Sequence, residues 1–293
     1  MGAFDLFNDW PVRPGAAGVL VRGSASDTRT PAPVELTETF GDLDAVAEWA
    51  SVTKLLVALG VLVEAEQGEV DLDDPAGPPG STVRHLLSHA SGLGPDREEP
   101  LTSPGRRRIY SNAGFEVLAR HLSDRSGHRW QDVVTDRVIR RLGMESAEVL
   151  DDASPASGAT GAVSDLLALG RELLSPTIIS ASALDAATQV AFPGLAGVVP
   201  GFGRFEHCDW GLGFELKDSK RPHWTATEGS PRTFGHFGRS GAFLWVDPDA
   251  GVACATAGGA PFGPWAVDKW PELSDAVLRT WARPIERPQV GGQ

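Results

Sequence analysis

Three short stretches collect residue types able to attack and split a carbonyl compound. Glu48-Trp49-Ala50-Ser51-Val52-Thr53-Lys54 sets a serine three residues before a lysine, a spacing that puts both on one helix face. The residues that follow, Leu55 to Val63, are apolar on every face, which predicts a buried helix. Burial strips an ammonium of water and lowers its pKa, so Lys54 is expected to act as base toward the Ser51 hydroxyl. Tyr110-Ser111-Asn112 directly precedes a second predicted helix. Nearby positive charge would lower the Tyr110 pKa and let it relay a proton, while Asn112 offers a donor to substrate or to the lysine. Gly235-His236-Phe237-Gly238-Arg239-Ser240-Gly241 falls on a predicted strand. There Gly238 permits close approach of a ligand, and a following N–H can help form an oxyanion hole. His236 and Gly238 would face one way on that strand and Arg239 the other.

Each stretch also has a plainer explanation. Lys54 could snorkel to the surface, Asn112 could simply cap a helix, and the glycines could mark an ordinary edge strand. A two-residue dyad therefore needs a scaffold that holds it beside the other two.

Ala16–Arg22 and Val34–Phe40 read as strands joined by a Ser/Thr/Pro/Asp-rich loop. The buried helix ends at Gly68, and Ser81 is the expected cap of a short helix reaching Ser88 or His89. Further helices are predicted over Asn112–Ser126, Trp130–Leu142, Ser164–Leu174 and Ser182–Ala191. From about residue 205 the period becomes strand-like, at Trp210–Leu216, Thr233–Phe237, Ala242–Pro248 and Gly251–Gly258. A helix over Ser274–Arg283 closes the chain. Strands at both ends around helices in the middle favour an α+β fold, an antiparallel sheet flanked by helices. Residues 1–49 and 205–293 would form the sheet lobe and 50–204 a helical lobe.

Composition narrows the function. The net charge of −13 argues against nucleic acid and against an anionic membrane. Of 26 basic residues only four are lysines, at 54, 217, 220 and 269, so a lysine kept inside an apolar run stands out. Tyr110 is the single tyrosine. Cys208 and Cys254 allow one bridge at most and show no metal-ligand spacing. No signal-like or membrane-spanning run precedes the first strand, so the expected location is cytoplasmic. Neither cofactor nor metal is expected. His85 and His89 lack the glutamate of a His-Glu-x-x-His zinc site, and Asp71, Asp73 and Asp74 lack the rest of a calcium loop. Gly238-Arg239-Ser240-Gly241-Ala242 fails as a Gly-x-Ser-x-Gly elbow at its last position.

Taken together the three stretches resemble the serine β-lactamase and penicillin-binding-protein superfamily, in its class C β-lactamase-like branch of esterases and D-amino-acid peptidases. Ala50-Ser51-Val52-Thr53-Lys54 is similar to its Ser-x-x-Lys motif, Tyr110-Ser111-Asn112 to Tyr-x-Asn, and His236-Phe237-Gly238 to a His-x-Gly form of Lys-Thr-Gly. Leu86-Leu87-Ser88-His89-Ala90-Ser91-Gly92-Leu93 and Trp210-Gly211-Leu212-Gly213 resemble further landmarks. The resemblance implies a β-lactamase/transpeptidase-like fold with Ser51 as acylated nucleophile and Lys54 and Tyr110 as proton carriers. It implies that Asn112, His236, Gly238 and Arg239 contact substrate, the N–H groups of Ser51 and Arg239 forming the oxyanion hole. His236 stands where the family's cationic lysine would be, which favours a small ester or uncharged amide over a β-lactam or D-Ala-D-Ala peptide. D-amino-acid amidase or β-lactamase activity is the first alternative, and a catalytically silent ligand-binding member the second.

Overall fold

Small and branched side chains make Pro14–Arg22 a strand that can be covered on both faces, and it lies second in a six-stranded antiparallel sheet. The computed structural model describes residues 2–10, 12–24 and 32–282. In chain order the strands are β1 (Pro14–Arg22), β2 (Val34–Gly41), β3 (Ala47–Glu48), β4 (Glu148–Val149), β5 (Ala159–Gly161), β6 (Gly197–Val199), β7 (Gly203–Phe205), β8 (Glu215–Leu216), β9 (Phe234–Phe237), β10 (Phe243–Asp247) and β11 (Val252–Gly259). The helices are α1 (Thr53–Glu66), α2 (Val83–Leu87), α3 (Asn112–Ser126), α4 (Trp130–Val134), α5 (Val163–Leu174), α6 (Ala181–Ala187) and α7 (Pro264–Trp281). The large sheet runs β2-β1-β11-β10-β9-β8, with every pairing antiparallel. The α+β architecture expected from the sequence is the one observed.

Alternation along β1 divides two cores. Ala16 and Leu20 join α1 and α5 on one face. Ala17, Val19 and Val21 join Phe4, Phe7 and Trp270 on the other, under the N-terminal turn and α7. Helix α1 is buried from Thr53 to Glu64, as its all-round apolar pattern requires. Glu64 near its end is neutralised by Arg137 at 2.6 Å.

Several boundaries differ from expectation. Thr82 rather than Ser81 caps α2, reaching His85 Nδ1 at 2.9 Å. The helix at Trp130 changes to a π-helical turn over Thr135–Ile139, and α6 stops at Ala187. The predicted strand at Trp210 reduces to β8, because the chain doubles back so that Trp210 bridges Glu215, with Gly213 at φ 91°. Helix α7 begins ten residues early, at Pro264, and carries Pro271 within it. Its buried face of Ala266, Trp270, Leu273 and Val277 outweighs the proline. Arg283 and most of the loop between β1 and β2 lie outside the described residues. A three-stranded sheet β3-β5-β4 and the hairpin β6-β7 have strands too short to show a period. Cys208 and Cys254 are free and buried. Among the described residues no helix is long and apolar enough to cross a membrane.

Candidate active site

Ser51 sits in a single 3-10 turn, Ala50–Val52, that leads into α1. Strand pairing presents it: Ala47 and Glu48 pair with β5, and the Trp49 amide donates to the Ala159 carbonyl at 3.1 Å. The Trp49 indole donates to the Gly161 carbonyl at 3.0 Å. Thr53 Oγ1 donates to the Ala50 carbonyl at 2.6 Å and accepts from the Ala159 amide at 3.0 Å. Within this frame Ala50 is held at φ 46°, a left-handed conformation that costs a non-glycine residue about 1–3 kcal/mol.

Lys54 Nζ lies 3.5 Å from Ser51 Oγ, and donates to Asn112 Oδ1 and the Ala156 carbonyl at 2.8 Å each. Its side chain is fully buried. Burial pulls its pKa down to about 7, although Asp96 and Glu116 act from a distance to raise it. The two neutral acceptors fix two N–H bonds. When the amine is uncharged, its lone pair is therefore left for the Ser51 hydroxyl. Asn112 thus serves the lysine as an acceptor, not as the donor expected, and its amide group is spent on Asp96 Oδ1 at 2.8 Å.

Tyr110 approaches from the opposite side. Lys54 Nζ stands 4.7 Å from the centre of its ring. Burial pushes the phenol pKa up, and the neighbouring Ser51 hydroxyl offsets this only in part. The expected lowering by positive charge does not occur: desolvation of a phenolate dominates and the Asp96 charge adds to it. Tyr110 stays protonated and can act only as a donor or relay.

The loop carrying Tyr110 is tied down by residues that motif reading assigned no such task. His89, at φ 56°, accepts from the Ser111 amide at Nδ1 (3.1 Å), and its carbonyl accepts from Ile109 at 2.9 Å. The buried Arg108 guanidinium donates to the carbonyls of Cys208 (2.9 Å), Ser88 (2.6 Å), Ala191 (2.7 Å) and Phe192 (3.2 Å). Ser111, not Asn112, caps α3 by accepting from the Gly114 amide. Arg108 precedes Tyr110 by two residues, a nearness visible in the sequence; that its fork reaches three distant loops is not.

Gly238 lies just past β9, where a Cβ would come within 2.2 Å of the Trp49 carbonyl oxygen and 3.2 Å of the Ser51 nitrogen. The bare backbone there brings the end of β9 against the turn that carries Ser51. Ser51, Tyr110, Asn112, His236 and Arg239 line one cavity of about 470 Å³, with Trp210, Glu215, Val199, Pro200, Phe237 and Phe262 as further walls. Trp210 faces this cleft, while Trp224 and Trp245 pack within the core under α7 and do not line it. His85 Nδ1 pairs with the Thr82 hydroxyl, and His89 Nδ1 accepts from the Ser111 amide.

A family model described as Beta-lactamase matches residues 11–257. A β-lactamase from Mycobacterium bovis superimposes with a TM-score of 0.88 at 45% identity, over 96% of this chain and 100% of its own. EstCE1, a hydrolase with promiscuous acyltransferase activity, shares the fold at a TM-score of 0.70 and 17% identity, over 94% of this chain and 95% of that one. The D-alanyl-D-alanine-carboxypeptidase/endopeptidase AmpH of Escherichia coli (strain K12) is 29% identical over 142 residues, 35% of this chain. That match spans only 36% of the curated relative's own length.

Proposed function

Because this chain belongs to the β-lactamase family of serine hydrolases, we propose that it cleaves small esters through an acyl-enzyme on Ser51. The observation that carries the reading is the convergence of Ser51, Lys54 and Tyr110 on one cleft whose walls are largely apolar. Uncharged Lys54 takes the Ser51 proton as Oγ attacks the ester carbonyl. The developing oxyanion is met by the N–H groups of Ser51 and Arg239. Tyr110 passes a proton to the departing alkoxide, and water then releases the acid by the reverse path. Such general acid–base assistance is worth about 10²- to 10⁴-fold.

Apolar walls at Val199, Pro200, Phe237 and Phe262 suit a hydrocarbon group on the substrate. Tyr110 and Pro200 also border a second, apolar hollow with Leu101, Ile109 and Val198, which lengthens that surface. The activity in EstCE1's description accords with an ester substrate. Arg239, an exposed cation that lines the cleft, favours a second reading, a D-amino-acid amide or β-lactam bearing a carboxylate. A panel of acyl esters, β-lactams and D-amino-acid amides separates the two. Turnover of esters with a fluorophosphonate adduct on Ser51 is the expected outcome. Full esterase activity in Ser51→Ala would defeat both readings.

A further inference from the structure

His236 is buried, 3% exposed, and lines the cleft. Its Nδ1 lies 2.8 Å from the Phe237 carbonyl oxygen. A carbonyl can only accept, so the ring proton is on Nδ1 and Nε2 presents a bare lone pair. That Nε2 has no hydrogen-bond partner among the described residues. Its neighbours are ring faces and edges: Trp210 at 5.6 Å and Tyr110 at 5.8 Å between centroids. A buried acceptor left unpaired is destabilising, and a ligand that donates there would relieve it.

We propose that His236 is the specificity-determining acceptor of the cleft, its Nε2 receiving a hydrogen bond from an N–H or O–H carried by the substrate beside the scissile ester. The proposal rests on the serine-hydrolase reading and reverses the selection that a lysine would impose. A cation recruits a carboxylate; an uncharged imidazole acceptor repels one and requires a donor. Burial, reinforced by the nearby Lys54 ammonium, holds the His236 pKa down at about 3, so the ring stays an acceptor throughout the neutral range. The preferred substrates are then acyl or alcohol fragments with an amide N–H or a hydroxyl, rather than their carboxylate or all-carbon analogues.

Two matched pairs test this. On the acyl side, the p-nitrophenyl ester of N-acetylglycine is compared with that of 4-oxopentanoate, in which CH2 replaces N–H. On the alcohol side, 2-hydroxyethyl butyrate is compared with 2-methoxyethyl butyrate. Each kcat/KM is divided by the ester's own alkaline hydrolysis rate. The wild type should favour the donor-bearing member of at least one pair by about tenfold. That ratio should fall to about one in His236→Leu and survive in part in His236→Gln, whose side-chain oxygen can still accept. Ratios near one in both wild-type pairs overturn the proposal. So does an unchanged ratio in His236→Leu with all four rates lowered alike, which would make His236 a proton carrier instead.

If none of the four esters turns over, the ester reading fails on its own. Binding to Ser51→Ala then decides the role of His236. Saturation with methyl N-acetylglycinate should move the His236 Nε2 nitrogen resonance, and methyl 4-oxopentanoate should not; no difference between them ends the proposal. Thermal unfolding of both His236 variants identifies loss through misfolding, and the glutamine variant preserves the test if the leucine variant is unstable.

Discussion

Lys54 and Lys220 are both buried, and only their partners separate them. Lys54 meets a side-chain amide oxygen and a backbone carbonyl, both neutral. Lys220 meets a carboxylate, Glu215 Oε1, at 2.9 Å. Glu215 in turn accepts from His223 at 2.7 Å and the Trp224 indole at 2.8 Å. Burial would raise the Glu215 pKa, but His223 and Lys220 overcome it and hold it at about 2. The pair is a closed structural unit whose charges cancel. Lys54 lacks a carboxylate in contact, so desolvation is only partly offset, by Asp96 and Glu116, and the amine is poised to exchange its proton near neutrality. A buried lysine becomes a base through what it is denied.

The hardest blow to this contrast is Lys54→Met, which keeps volume and removes the base. We expect kcat to fall by about 10³-fold or more, measured with an activated ester, with the fold retained by circular dichroism. Equal rates in mutant and wild type would return Lys54 to a packing role. Glu215→Gln should do the opposite kind of damage. It leaves Lys220 buried without a counter-charge and should cost about 3–5 kcal/mol of stability, read from urea midpoints. A variant as stable as wild type would show that the pair is dispensable.

Asn112→Asp combined with Asp96→Asn sharpens the comparison most, because it gives Lys54 the kind of partner that Lys220 has without setting two carboxylates in contact. A carboxylate in contact favours the ammonium, so the Lys54 pKa should rise by about 1–3 units. In the wild type, kcat/KM should rise with pH through an acid limb near 7, as the base is freed. In the variant that limb should move upward, cutting the rate at pH 7 by about tenfold or more and restoring it near pH 9. An unmoved limb would assign the titration to another group.

Much of this was legible in residue types. Ser51 and Lys54 at i and i+3 before an all-apolar run predicted a buried pair, and Asn112–Ser126 showed its full length in its spacing. The Tyr110 pKa was misread because sequence reveals the nearby lysine but not how deeply the phenol is buried. Asn112 was given the wrong polarity because an amide offers both a donor and acceptors, and only geometry chooses between them. Ala156, Thr53 and the Arg108 fork went unseen. They act through backbone carbonyls, which every residue has, so no motif betrays them. Strands of two or three residues escaped for a related reason, having no room to display alternation.

Gly238 bears on how such a site could be redesigned. The gap between the Ser51 turn and the end of β9 is too narrow for even one methyl group, so any side chain there must force the walls apart. That seam is shut to variation, and both expected oxyanion donors sit beside it. Elsewhere on the cleft Val199 is buried and Phe262 packs on Phe202, Phe237 and Trp270, whereas Pro200 and Arg239 are exposed. Selection for a bulkier or differently shaped substrate has most room at those two exposed side chains while the chemistry stays anchored at the seam.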